Sequence, residues 1–203
     1  MKRNLITILL LLSYLSFAQI NFYGWREGEI YLNNSDTLKG QILIKTRKSN
    51  RLSNTEKVAF REGRSKKRIK LTNQEIAGIR IFDDINGDHD YLYLEIKKGK
   101  SALFELVEKG EINLFYRKIL QGYSMSMGAS GQFQSDGVMT GYEYYISIPK
   151  LSSVYCLLDN RGLYLKDHKE VFKDCNKVFN NIENNYYDYT TLEDLVEEYN
   201  ACF

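Results

Sequence analysis

Catalytic residue types are scarce in this chain: its 203 residues hold two histidines, one tryptophan and three cysteines. Hydrolysis therefore has only His89 and His168 to draw on as bases, and neither has a serine or cysteine beside it in a nucleophile-elbow context. Paired Cys or His spacing is missing, which argues against a zinc site. Pro149 is the one proline, so hardly any strand is interrupted from within. Past the first eighteen residues no apolar run approaches the roughly 18–20 residues that a membrane-spanning helix needs. An excess of one charge is also missing, with 28 Lys and Arg against 26 Asp and Glu. What is present, 43% hydrophobic, 27% charged and 13% aromatic residues, is globular composition, which excludes disordered, collagenous and polytopic-membrane classes.

The chain opens with Met1-Lys2-Arg3 and an apolar run from Leu5 to Leu12 that continues less purely to Phe17. Ser16 and Ala18 stand at the −3 and −1 positions of an export-signal cleavage site, so residues 1–18 read as a signal peptide. No cysteine stands directly after the cleavage point, and a lipid anchor is not expected. Removing the leader takes the formal charge from +2 to zero. An exported chain meets an oxidising compartment. Of its cysteines, Cys156 sits in the apolar run Val154–Leu158 and reads as a buried small hydrophobe. Cys175 and Cys202 are then the expected disulfide, with three free thiols as the alternative.

From Phe22 to about Lys166, short alternating segments are separated by Gly, Asn, Asp and Ser, the pattern of an antiparallel sheet. In Tyr91–Lys97, Leu92, Leu94 and Ile96 form an apolar face, while Tyr91, Tyr93, Glu95 and Lys97 form a face expected to meet solvent. Segments 111–120 and 142–148 are expected to pair. Between them residues 121–141, with five glycines, read as one long mobile loop. After Leu165 the period becomes helical: Val171, Phe172, Cys175, Val178, Phe179 and Ile182 share a stripe. A second helix begins near Thr190 or Thr191, Thr190 having the spacing to Glu193 of a capping box, with Leu192, Leu195, Val196 and Tyr199 as its apolar face. The expected fold class is α+β: an antiparallel β-sheet or partly closed barrel or roll over residues 19–166, followed by two C-terminal helices over 167–203.

Asn33-Asn34-Ser35-Asp36-Thr37-Leu38-Lys39-Gly40-Gln41-Ile42 resembles a turn and strand, G-D-T-L/I-x-G-x-I, that recurs in exported proteins of Bacteroidota-type Gram-negative bacteria, with Ser35 replacing the usual glycine. Phe172-Lys173-Asp174-Cys175, Leu192–Leu195 and Glu198-Tyr199-Asn200-Ala201-Cys202 are similar to the C-terminal pattern of the same group. The segment Gly110–Tyr116 extends the likeness over most of the mature chain. The resemblance implies an exported β-rich body with a helical tail and supplies no mechanism. Read without it, Asn and Asp before Thr37 make a turn, and Gly40 permits a close backbone approach.

Two surface features remain. In Asp83-Asp84-Ile85-Asn86-Gly87-Asp88-His89-Asp90, residues Asp84, Asn86 and Asp88 match the first three ligand positions of a calcium loop and Glu95 the last. His89 stands where the turn glycine belongs and the flanks read as strands, so Asn86-Gly87 more simply marks a hairpin. The second feature is a basic ribbon over 45–70: Lys45, Arg47, Lys48, Arg51, Arg61, Arg64, Lys66, Lys67, Arg68 and Lys70. It suits an anionic envelope component or an acidic partner surface; export disfavours nucleic acid. Its plainer role is to keep a sheet rim from pairing with other strands.

The sixteen tyrosines give no continuous glycan platform by sequence, because Tyr142 and Tyr144 alternate with Tyr145. An outer-membrane barrel is disfavoured by charges on the strand faces and by the helical tail. The chain is therefore expected to be a non-catalytic, exported, envelope-associated binding or structural module without a cofactor. The alternative is a small divergent hydrolase or a calcium-dependent module centred on residues 83–90.

Overall fold

The computed structural model describes residues 24–44, 47–48, 57–124, 136–151 and 153–203. The leader expected over 1–18 lies outside them. Strands β1 (Arg26–Leu32), β2 (Thr37–Leu43), β3 (Arg47–Lys48), β4 (Lys57–Arg61), β5 (Ile69–Thr72) and β6 (Ile76–Ile81) come first. Strands β7 (His89–Lys97), β8 (Lys100–Glu108), β9 (Asn113–Ser124), β10 (Asp136–Ile148), β11 (Ser153–Asp159) and β12 (Gly162–Leu163) follow. A 3-10 turn over Lys166–Phe172 leads to helices α1 (Asn176–Glu183) and α2 (Leu192–Asn200). The class is α+β.

One twelve-stranded sheet follows the order β12-β11-β10-β9-β8-β7-β6-β1-β2-β4-β5, with β3 off this path as a further partner of β9. Neighbours along that order are antiparallel; β3 runs parallel to β9, with Arg47 opposite Ile119 and Lys48 opposite Leu120. The chain thus returns from β2 to the middle of the sheet without closing it, and β5 and β12 are left as rims. From β6 to β12 the order is a plain meander. β1 departs from it by inserting between β6 and β2.

Residues opposite one another in a ladder share a face. Ile30 faces Leu38 on one side and Ile79 on the other, Ile42 faces Phe60, and Val58 faces Leu71. These side chains form an N-terminal core on one face of the sheet. Tyr91 and Tyr93 pack against this core instead of meeting solvent as the alternation suggested. Leu92 and Leu94, on the reverse face of β7, pack in another cluster with Phe104, Phe115, Tyr145 and, from β11, Val154 and Cys156. β7 is therefore covered on both sides, because the sheet curls far enough to bring β11 towards it. Register shifts at Glu95/Lys97, Leu106/Glu108 and Tyr144/Tyr145 give the strands their bends.

The helical tail covers Leu114, Ile146 and Leu157 with Phe172, Val178, Ile182, Leu195 and Val196. Each of these five is fully buried, a contribution of roughly 2 kcal/mol per side chain before chain entropy is set against it. The stripe expected for a single first helix is split: Val171 and Phe172 lie in the 3-10 turn, and extended backbone at Cys175 restarts the chain as α1. The stripe survives the break because both pieces lean on the same sheet face. Thr190 does not build the expected capping box; its hydroxyl donates to Asp188, and Thr191 is the N-cap of α2. Cys175 and Cys202 form the expected disulfide, with Cα atoms 6.0 Å apart. Asn200 ties α2 to the sheet: its Oδ1 accepts from Ile112 N at 3.0 Å, and its Nδ2 donates to Ile112 O at 3.1 Å.

The paired strands expected over 111–120 and 142–148 are present and run on into the glycine-rich segment, to Ser124 opposite Asp136. Residues 121–124 and 136–141 are thus strand, not loop. Gly122 stands opposite Val138, Gly137 opposite Tyr123 and Gly141 opposite Ile119, so each strand-weakening glycine faces a strand-favouring partner. Only the centre of the expected loop, residues 125–135, lies outside the described residues.

Candidate functional site

Of the basic ribbon, Lys45 and Arg51 lie outside the described residues, and Arg47 and Lys48 form β3 beside β9. The other six belong to the β4–β5 hairpin at the rim of the sheet, so the ten cations do not follow one strand. Arg61 is tied into the body. Its guanidinium lies 4.2 Å from the Trp25 ring centroid, and its Nε donates to Gln41, which in turn donates to Glu27. Arg64, Lys66, Lys67, Arg68 and Lys70 are exposed and make no ion pair among the described residues. By contrast Arg26, Lys39, Arg80, Arg117, Lys150, Arg161, Lys169 and Lys177 each hold a carboxylate.

The acidic segment forms the turn between β6 and β7, with Gly87 in left-handed backbone at φ +83° and its N–H donating to Asp83 O. Asp83 organises this turn. Its carboxylate accepts from the N–H groups of Ile85 and Asn86 and from the Asn86 amide, and it pairs with Arg26. These donors hold the Asp83 carboxyl down at about 2. The calcium arrangement is not assembled: Asp84, Asn86 and Asp88 are exposed on the turn, whereas Glu95 lies near the far end of β7 and accepts from Gly99 N. A twelve-residue spacing brings ligands together on a coiled loop. Here a nine-residue strand stretches the spacing out.

Beside the turn is a group whose members lie apart along the chain and meet only through strand register. Glu105 on β8 stands opposite Tyr91 on β7 and Tyr116 on β9. Its Oε1 lies 2.6 Å from His89 Nδ1, its Oε2 accepts from the Tyr91 hydroxyl at 2.8 Å, and its charge acts on the neighbouring Tyr116 phenol. His89 Nε2 is 3.7 Å from Asp83. Burial, then the charge of Glu105, pushes the Tyr91 and Tyr116 phenols well above the usual tyrosine range.

This group borders a groove of about 460 Å³ lined by Asp88, His89, Glu105, Leu106, Val107, Tyr116, Tyr142, Tyr144 and Glu193. The register shift at Leu106/Glu108 falls in its wall, and Glu193 comes from the first turn of α2. Tyr116 lies opposite Tyr144 in the β9–β10 ladder, with ring centroids 5.9 Å apart, and 6.1 Å from Tyr142. The three rings form the platform that Tyr142 and Tyr144 cannot make alone, with Tyr116 supplied by the neighbouring strand. Comparison with protein families, with curated proteins and with solved structures finds no match for this chain.

Proposed function

We propose that this protein is an exported, non-catalytic binding module of the cell envelope. In this reading the β4–β5 hairpin engages an anionic envelope component or an acidic partner surface. The observation that carries the reading is the concentration of uncommitted cations at Arg64, Lys66, Lys67, Arg68 and Lys70, on a rim of the sheet, in a molecule that pairs many of its other cations internally. Such a cluster attracts anionic surfaces at the range of a Debye length, about 8–10 Å at physiological salt. The signal-like opening and the Cys175–Cys202 bond suit an oxidising compartment. No helix among the described residues is long and apolar enough to cross a membrane. Attachment through charge is the simplest route to the envelope for such a chain.

The hydrolase alternative gains a histidine–carboxylate pair in His89 and Glu105, but the groove lining offers no serine or cysteine for His89 to activate. The binding reading is therefore preferred. Stepwise salt extraction of the envelope fraction tests it. The protein is expected to stay with the envelope at low salt and to be released at high salt. The triple charge reversal Lys66→Glu, Lys67→Glu, Arg68→Glu is expected to release it at low salt. Low-salt release of the unaltered protein, or unchanged retention of the triple variant, would rule the reading out.

A further inference from the structure

We propose that the groove between the 84–88 turn and helix α2 binds a small organic ammonium ion. This rests on a different surface from the basic hairpin and does not depend on it.

The volume of about 460 Å³ falls within the range of small-molecule sites, about 300–1,000 Å³. Its lining carries three carboxylates, Asp88, Glu105 and Glu193, and no lysine or arginine. The carboxylates are not equivalent. Glu105 is occupied by His89 and Tyr91, so it shapes the site more than it offers a free acceptor. Asp88 and Glu193 are exposed and have no hydrogen-bond or ion-pair partner among the described residues. They reach the groove from different elements, one from the β6–β7 turn and one from α2.

The tyrosine rings set the second requirement. Tyr116, Tyr142 and Tyr144 form a platform on one sheet face, and Tyr142 is 47% exposed. Ring faces carry negative electrostatic potential and attract a cation within about 6 Å of the centroid. A cation in the groove is attracted by these rings and by carboxylates from two further elements, the β6–β7 turn and α2. A neutral sugar would use the rings but gain nothing from the charge of the two carboxylates. An ammonium group with apolar substituents satisfies rings and carboxylates together.

The test is an NMR titration of the disulfide-bonded protein with choline and with its uncharged isostere 3,3-dimethylbutan-1-ol, following the tyrosine ring resonances. Choline is expected to give saturable shifts at Tyr116, Tyr142 and Tyr144 and to bind at least about tenfold more tightly than the isostere. Tyr142→Ala and Glu193→Gln are each expected to weaken choline binding about threefold or more. Both side chains are exposed, so the melting temperature serves as the check that the variants remain folded. Equal binding of choline and isostere, or no saturable shift with choline, overturns the proposal. Tyrosine shifts with maltose and none with choline also overturn it, in favour of a neutral glycan.

Discussion

His89 Nδ1 and Glu105 Oε1 lie 2.6 Å apart, bridging two adjacent strands on the face that borders the groove. A carboxylate only accepts, so the proton is on Nδ1 and Nε2 is left facing Asp83 at 3.7 Å. Because Tyr91 also hydrogen-bonds to Glu105, one side chain satisfies two partly buried donors. Glu105→Ala strands both and is expected to lower unfolding stability by about 2–3 kcal/mol in urea titration. Glu105→Gln, which keeps one acceptor oxygen, is expected to lose about half as much. A loss under about 1 kcal/mol for the alanine variant would mean that water replaces the carboxylate.

Asp83 gives the fold an acid limb. Its folded carboxyl is held at about 2, below the ordinary value of 3.8, so the unfolded chain takes up this proton first as pH falls. The sign is fixed: the stabilisation is present above about pH 4 and is lost as pH falls through about 2. Asp83→Asn is expected to melt below the unaltered protein at pH 5 and to converge with it towards pH 2. Parallel melting curves over that range would contradict the role given to Asp83.

The disulfide closes a segment spanning 27 positions. Cys175→Ser, Cys202→Ser and the double variant are each expected to lose about 3 kcal/mol. A reducing agent is expected to have the same effect on the unaltered protein and none on the variants. Cys156, half-buried, with its thiol pushed up to about 11 by burial, is expected to react slowly with thiol reagents until the protein unfolds.

Gly110 sits against the Asn200 side chain that links α2 to the β8–β9 turn. A Cβ at residue 110 would meet the Asn200 amide carbon at 2.4 Å. Gly110→Ala is expected to cost about 1–2 kcal/mol by displacing an amide that two backbone hydrogen bonds hold in place. Asn200→Ala is expected to cost a similar amount. Together they are expected to cost less than the sum of the two, because the second change removes the atom that the first one strikes. Strict additivity in this double-mutant cycle would place the strain elsewhere.

Features that depend on local period were legible in the sequence: the strand character up to Lys166, the apolar stripe of the tail, the Asn86-Gly87 turn and the Cys175–Cys202 pair. Features that depend on register were not. Glu105 is sixteen residues from His89, and Tyr116 is twenty-eight from Tyr144; only the β7–β8 and β9–β10 ladders bring them together. Alternation in Tyr91–Lys97 reported two faces correctly but not what covers each, because that depends on how far the sheet curls. The strand content of 121–124 and 136–141 was hidden by glycines whose opposite partners lie on the other strand.

The strand order also sets the expected pace of assembly. Each strand from β6 to β12 pairs with its neighbours in sequence, so this half can zip through successive hairpins at low loop-closure cost. β1 has no such route on its inner side: Gly28 must find Ile81, 53 positions later, before the N-terminal strands join the meander. That encounter, like the β3–β9 pairing of Arg47 with Ile119, closes a far longer loop than any hairpin of the meander and is expected to be slow. Substitutions at the β1–β6 seam should slow refolding, while those in the outer β10–β12 hairpins should act mainly on the unfolding rate.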